Sequence, residues 1–209
     1  MRAYFIFLCL GFVYLSIQTS QAELLAYDGF DYPTNAVNGQ NGGYGWSGEW
    51  SSTGCEIASP GFAYTNLETV GNVMQLVGNK IAYRYLADGI LGEDNTTIWV
   101  AYLHKKGNNY YSFLRLRNET NSVLEVNSGT PSSDNKYELL AGGTTNVTTV
   151  SSINATNLIL LRIDLKPGND TVYMWAGNAL DVASEPVTNT ADAVLTVSDL
   201  SLYNIYVKC

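Results

Sequence analysis

Apolar and aromatic residues occur in short, strand-length runs along nearly the whole chain. Where a run is long enough, polar and apolar positions alternate, as at residues 113–117. A period of two is typical of a β-strand with one buried face. The runs lie at residues 24–27, 73–77, 81–86, 97–103, 110–117, 122–126, 137–140, 158–165, 171–175 and 202–207.

Turn residues separate these runs, among them Gly142-Gly143 and Gly168-Asn169. The nearest candidate for a helix, residues 181–193, is interrupted by Pro186 and dominated by Thr and Ala. The pattern therefore predicts about ten to twelve short strands in an all-β, antiparallel β-sandwich. No linker divides the chain, so we expect a single domain.

The first 22 residues have the pattern of a secretory signal peptide. Arg2 supplies a positive charge, residues 3–17 are almost all apolar, and Ser20-Gln21-Ala22 puts small residues at the cleavage positions. We therefore expect a signal peptide at 1–22, a domain at 23–209, a secreted, extracellular protein and no membrane contact after cleavage. A retained N-terminal anchor is the alternative, although the apolar run is short for a membrane span.

Composition narrows the classes of partner. The chain has 11 Lys and Arg against 19 Asp and Glu, a net charge of −8. Nucleic acid is therefore not expected as a partner, because phosphate binding needs clustered basic residues. Hydrophobic residues make up 46% and aromatic residues 12% of the chain, which excludes a disordered protein.

Cysteine usage follows from the predicted cleavage. Cys9 leaves with the signal, so the mature chain keeps Cys55 and Cys209. An even pair in an oxidising compartment favours a disulfide between them. Two unpaired thiols, or a terminal thiol that pairs with another molecule, are the alternatives.

Two blocks carry a resemblance to a known family. Residues 27–33 read YDGFDYP and residues 38–50 read NGQNGGYGWSGEW, followed later by LILLRID at 158–164 and DLSLYNI at 199–205. These blocks resemble secreted bacterial LamG-like domains, which often occur with PEP-CTERM sorting tails. No such tail follows Lys208-Cys209. The resemblance implies a concanavalin A-like jelly-roll sandwich, a fold that hosts lectins, glucanases and adhesion modules alike.

The glycine-rich block suggests two roles for its aromatic residues. Tyr44, Trp46 and Trp50 could present ring faces on which sugars stack, which makes them the candidate ligand-binding residues. Alternatively, the two indoles pack over one sheet edge, with nearby glycines letting the backbone pass close beside them.

Catalytic patterns are missing from the sequence. No Glu-x-Asp-x-x-Glu string provides the paired carboxylates of the glucanases of this fold, and no Gly-x-Ser-x-Gly elbow occurs. The single histidine, His104, reads as a solvated strand-end residue. No catalytic residue and no cofactor are predicted, apart from a structural calcium ion that Asp28 and Asp31 could ligate. The alternative for these aspartates is hydrogen bonding within a local Asx turn.

These observations predict a secreted binding module without catalysis, with extracellular polysaccharide or glycan as its partner. One alternative is a structural or adhesive extracellular protein without a small ligand. A second is a glycan-degrading hydrolase or lyase whose carboxylates come from distant strands.

Overall fold

The computed structural model describes residues 23–65, 67, 69, 71–76, 78–89, 91–107, 111–118, 121–128, 135–181 and 183–208. The predicted signal peptide at 1–22 lies outside them. The strands are β1 (Ser51–Ser52), β2 (Glu56–Ala58), β3 (Val73–Gln75), β4 (Ile81–Tyr85), β5 (Thr96–His104), β6 (Ser112–Asn118), β7 (Asn121–Ser128), β8 (Lys136–Ala141), β9 (Thr144–Ser151), β10 (Asn157–Leu165), β11 (Asn169–Gly177), β12 (Ala193–Ser198) and β13 (Asn204–Lys208).

In the described part of the chain, two antiparallel sheets face each other. The large sheet has the order β1-β4-β13-β6-β7-β8-β9, and the small sheet has the order β12-β11-β10-β5. Strands β2 and β3 form a separate hairpin. The prediction of an all-β, antiparallel sandwich is confirmed, whereas the jelly-roll topology stays a prediction.

Alternation along each strand places the core between the sheets. In β10, Ile159, Leu161 and Ile163 are fully buried, while Arg162 between them lies on the outer face of the small sheet. Facing them from the large sheet are Leu124 and Leu139, in the same core cluster. The side chains between these core positions therefore form the outer face of each sheet.

Different parts of the chain cover the two sides of the sandwich. On one side the edge strands β9 and β12 meet, and Asn146 Nδ2 donates to the Val194 carbonyl at 3.1 Å. At the other end, the N-terminal segment (residues 23–50) packs on the large sheet. A second core cluster there joins Val37 and Trp50 to Ala82 of β4, with Val207 of β13 packed against it.

Local predictions have mixed outcomes. The predicted strand at 24–27 is wrong, since Tyr27 makes only an isolated bridge to Tyr44. The stretch at 181–193 contains no α-helix in its described residues, only a short 3₁₀ turn at Thr188–Thr190, and β12 begins at its end. The turn glycines are confirmed: Gly142 and Gly143 join β8 to β9, and Gly168 precedes β11, all with positive φ.

Two further features concern the cysteine pair and membrane-spanning helices. Cys55 is fully buried, while Cys209 lies outside the described residues, so their disulfide stays a prediction. Among the described residues, no helix has the length and apolar character needed to cross a bilayer.

Candidate functional site

The geometry of the N-terminal segment depends on one buried carboxylate, that of Asp28. Its Oδ2 accepts hydrogen bonds from Arg84 at 2.7 Å, from the Trp50 indole at 2.8 Å and from the Tyr32 hydroxyl at 2.7 Å. Its Oδ1 accepts the backbone N–H of Phe30 at 2.9 Å, which closes an Asx turn. Burial, followed by the hydrogen bond to Asp28, raises the pKa of Tyr32.

Arg84 organises the glycine-rich block around itself. It donates to the carbonyl of Gly48 at 2.7 Å, to that of Gly42 at 2.9 Å and to Asn41 Oδ1 at 2.8 Å. The guanidinium carbon lies 5.2 Å from the ring centroid of Trp46 and 5.8 Å from that of Trp50. These contacts satisfy a charge that would otherwise be costly to bury.

The three candidate ligand-binding rings have different surroundings. Trp50 is 3% exposed, so it has no open face, and Trp46 is half-buried with its indole N–H donating to the Tyr27 carbonyl at 3.0 Å. Tyr44 is 58% exposed. The indoles of Trp46 and Trp50 are thus packed against the protein, and of the three rings only that of Tyr44 is freely accessible.

The two candidate calcium ligands, Asp28 and Asp31, have different surroundings. The Asp28 carboxylate accepts four hydrogen bonds from donors of the protein, whereas Asp31 is exposed. A cation at Asp28 would compete with the Arg84 guanidinium. Across the described ranges, no three His, Cys, Asp or Glu side chains are grouped so as to hold a metal ion. Calcium binding at these aspartates therefore stays a prediction.

A second group of aromatic residues lies on the outer face of the large sheet. We call Tyr83, Tyr206 and Phe113, from the neighbouring strands β4, β13 and β6, the aromatic strip. The Tyr83 and Tyr206 centroids are 6.5 Å apart at an interplanar angle of 15°, and those of Tyr206 and Phe113 are 6.0 Å apart at 14°. The three rings are therefore almost parallel across three strands.

Two further tyrosines extend the strip toward solvent. The Tyr85 ring packs edge-on against Tyr83, with 5.8 Å between centroids, and lies 5.3 Å from Tyr203. Tyr85 is 38% exposed. The solvent-accessible part of this surface is thus at the Tyr85 end, because the Arg115 guanidinium covers Phe113, with its central carbon 3.8 Å from the ring centroid.

Polar side chains border the strip on β6, β7 and β8. Arg115 forms an ion pair with Glu125, its partner in register across the sheet. The Tyr111 hydroxyl lies 3.0 Å from both Glu125 Oε1 and Asn127 Oδ1, and Asn127 Nδ2 lies 3.5 Å from Glu138 Oε2. Burial and the neighbouring Glu125 raise the pKa of Tyr111, so this hydroxyl keeps its proton at neutral pH.

The arginines in strands do not share one environment. Arginines at alternating strand positions ordinarily lie on a solvated face, paired with carboxylates across strands. That expectation holds for Arg115, which pairs across strands, but Arg84 is wholly buried because its position in β4 faces inward beside Ala82.

The outer face of the small sheet also carries rings, but the chain covers part of them. Trp175 is stacked between Trp99, at 6.0 Å, and Tyr173, at 6.2 Å. Its indole N–H donates to Thr190 Oγ1 at 3.2 Å, and its side chain is buried. This face is therefore less open than the Tyr85 end of the aromatic strip.

A large cavity lies between the sheets, next to the N-terminal segment. Its volume is about 900 Å³, and most of its lining is apolar, including Phe30, Leu116, Val126 and Val207. His104 lines one end and is partly buried, and the desolvation that lowers its pKa contradicts its interpretation as a solvated residue. Burial was not foreseeable there because the facing strands are distant in sequence.

His104 is held in this end of the cavity by two hydroxyl groups. Its Nδ1 lies 3.0 Å from the Tyr137 hydroxyl and its Nε2 lies 3.2 Å from Ser112 Oγ. Burial, with a smaller contribution from the charge of Lys106, lowers the pKa of His104 to about 4. The ring is therefore neutral at physiological pH.

Comparison with known proteins does not assign the chain to a family. The sequence matches no protein-family model, and a search of curated proteins finds no match either. The LamG-like resemblance accordingly stays a prediction.

The aromatic strip was not among the predicted site residues. Its only signal in the sequence is the alternation of Tyr83 with Tyr85 and of Phe113 with Arg115 and Arg117. That alternation shows that such side chains share a face of a strand, but not which strands are neighbours.

Proposed function

We propose that this protein is an extracellular carbohydrate-binding protein and that the aromatic strip, together with Tyr85, is its binding surface. The observation that carries the proposal is the near-parallel arrangement of Tyr83, Tyr206 and Phe113 across three strands. Rigid rings offer apolar area at little cost in conformational entropy, and the C–H faces of sugars can pack on them.

The polar border supports the same ligand class. Sugars present hydroxyl groups around an apolar face, and specific sites combine apolar contact with a few well-placed polar groups. Arg115 and Asn127 provide planar donors and acceptors beside the strip, held in place by Glu125 and Tyr111. This rigid border would orient a sugar with little ordering of side chains.

The extracellular setting rests on the sequence. The predicted signal peptide at 1–22 and the pair Cys55 and Cys209 are typical of a secreted domain. The LamG-like resemblance and the jelly-roll fold that it implies agree with this setting and with a lectin-like role, by analogy between folds.

A glycan array with the secreted protein tests the proposal. We expect binding to a restricted set of polysaccharides, and we expect the Tyr85→Ala variant to lose it while staying folded by circular dichroism. Absence of binding by the folded wild type would favour the structural or adhesive alternative.

Glycan cleavage is a second candidate because of one observation. Glu125 of β7 and Glu138 of β8 lie on the same outer face, and Asn127 pairs with Glu138 in register. Diagonal neighbours of this kind have Cα atoms about 7–8 Å apart, and glycosidase carboxyl groups stand about 5–9.5 Å apart. However, both side chains are buried, and Glu125 is already paired with Arg115.

Release of reducing sugar from the polysaccharides that bind distinguishes the two candidates. We expect none above the rate of the Glu138→Gln variant. Release by the wild type that this variant abolishes would make the protein an enzyme.

A further inference from the structure

We propose that a groove beside Trp99, on the outer face of the small sheet, is a second and weaker sugar-binding site, through which the protein cross-links neutral polysaccharide chains. The ligand class rests on the proposed function, whereas the groove shares no residue with the aromatic strip. The two sites lie on the outer faces of two sheets that pack face to face. They therefore point in opposite directions, and one chain bound at each face is joined to the other through the sandwich.

The groove lies over β5 and β10, next to the part of this face that the chain covers. Ala101 and Leu160, which are register partners on the outer face, line it together with Trp99 and Pro186. Its volume is about 360 Å³, within the range of about 300–1,000 Å³ that is usual for small-molecule sites. Ala101 is exposed and Trp99 is half-buried, so a ligand can reach both from solvent.

Trp99 gives the groove an aromatic side that is already held in place. Its ring lies 6.0 Å from the Trp175 ring at an interplanar angle of 25°, and the guanidinium carbon of Arg162 lies 5.7 Å from its centroid. A fixed ring can bind the C–H face of a sugar with little loss of side-chain entropy. One ring offers less area than the aromatic strip, so this is the weaker site, which alone would not hold the protein on a glycan array.

Arg162 forms a polar border without a net positive charge. Its Nε donates to Asp164 Oδ1 at 2.7 Å, and its Nη1 donates to Glu185 Oε1 at 2.6 Å. One guanidinium is thus paired with two carboxylates, so the border does not attract an acidic sugar. Glu185 lines the groove, as does Ser184, and both are exposed, so that their oxygens are accessible to sugar hydroxyl groups. These groups favour a neutral polysaccharide.

A two-step capture assay tests the cross-linking. Laminarin, galactomannan and xyloglucan are immobilised on separate sensor surfaces, the mature protein is bound to each, and the same polysaccharide then follows in soluble form. We expect the bound wild type to capture soluble polysaccharide on at least one surface, because its second face is free. A wild type that binds a surface but captures nothing would overturn the second site alone. A wild type that binds no surface would contradict the proposed function as well.

Two substitutions at exposed positions of the small sheet locate the site. Ala101→Ile fills the groove, whereas Thr196→Ile adds a similar side chain on the same outer face, in the far edge strand β12. Both variants should fold, because β-branched residues suit strand positions. We expect Ala101→Ile to bind the surface through the aromatic strip but to capture at least about fivefold less, and Thr196→Ile to stay within about twofold of the wild type. Equal capture by both variants would overturn the groove as the site.

The Tyr85→Ala variant separates this inference from the proposed function. We expect it to bind the surfaces weakly and to capture nothing, because only the groove remains. If Tyr85→Ala instead binds like the wild type while Ala101→Ile loses surface binding, the groove is a sugar site and the aromatic strip is not.

Discussion

Arg84 and Asp28, 56 residues apart in the chain, form a 2.7 Å ion pair whose side chains are only 1% and 5% exposed. The pair ties the N-terminal segment to β4 of the large sheet. Because Arg84 also holds the carbonyls of Gly42 and Gly48, the glycine-rich block folds around a charge instead of around an apolar side chain.

Breaking this pair should strongly destabilise the protein. The Arg84→Met variant keeps an unbranched side chain but leaves the Asp28 carboxylate buried without its counter-charge. Removing one partner of a buried pair costs about 3–5 kcal/mol. We expect a loss of that size in the free energy of unfolding measured by urea denaturation.

An exposed ion pair serves as the control. Arg162 contacts Glu185 at 2.6 Å, and Glu185 is 63% exposed. The Glu185→Gln variant should therefore cost less than about 1 kcal/mol. If Arg84→Met costs no more than Glu185→Gln, the buried pair does not hold the segment in place.

The glycines of the block should differ in their tolerance of a side chain. Gly45 has a φ of 77°, and a Cβ there would overlap the Leu25 carbonyl oxygen. Gly48 has no positive φ, and no described atom outside its chain neighbours lies within 4 Å of a Cβ built there. We expect Gly45→Ala to lose more than about 1 kcal/mol of stability and Gly48→Ala to stay within about 0.5 kcal/mol of the wild type. Similar melting temperatures for both variants would contradict the structure of the block.

The buried histidine should make stability depend on pH. The pKa of His104 falls from 6.5 to about 4 on folding, so the unfolded chain binds the proton first as the pH falls. The free energy of unfolding should thus decrease between pH 6.5 and about 4, by up to about 3 kcal/mol from this group.

His104 is the single histidine of the chain, so its ring signals in an NMR titration are unambiguous. We expect a midpoint near pH 4 and a flatter stability profile for the His104→Gln variant in the same window. A midpoint near the ordinary histidine value would show that the ring is solvated.

The cysteine pairing can be decided by mass. We expect the secreted protein to lack two hydrogens relative to the fully reduced chain, with one peptide linking Cys55 to Cys209 under non-reducing conditions. Detection of two alkylated thiols in the denatured, unreduced protein would refute the disulfide.

The fold class could be predicted because most buried strands contain a local run of apolar residues in the sequence. Apolar runs such as residues 158–165 match β10 (Asn157–Leu165) closely. The edge strand β9 was missed because most of its residues are Thr or Ser, which leaves no strong apolar run. The edge strand β12 was missed although its sequence, AVLTVS, alternates buried and exposed positions.

The candidate site was less predictable than the fold class. The sequence drew attention to Tyr44, Trp46 and Trp50 because they are clustered in one block, yet two of these rings pack against Arg84. The aromatic strip joins residues 83, 113 and 206, which come together only through the order and register of β4, β13 and β6. Register between distant strands is a property of the assembled sheet.

The measurement that tests the central claim most directly is calorimetric titration of one polysaccharide that binds the wild type into the Tyr85→Ala and Tyr44→Ala variants. Both tyrosines are exposed, but only Tyr85 adjoins the aromatic strip. We expect Tyr85→Ala to weaken binding by about tenfold or more, while Tyr44→Ala stays within about twofold. Unchanged affinity for Tyr85→Ala, with loss of binding in Tyr44→Ala, would contradict the proposed site.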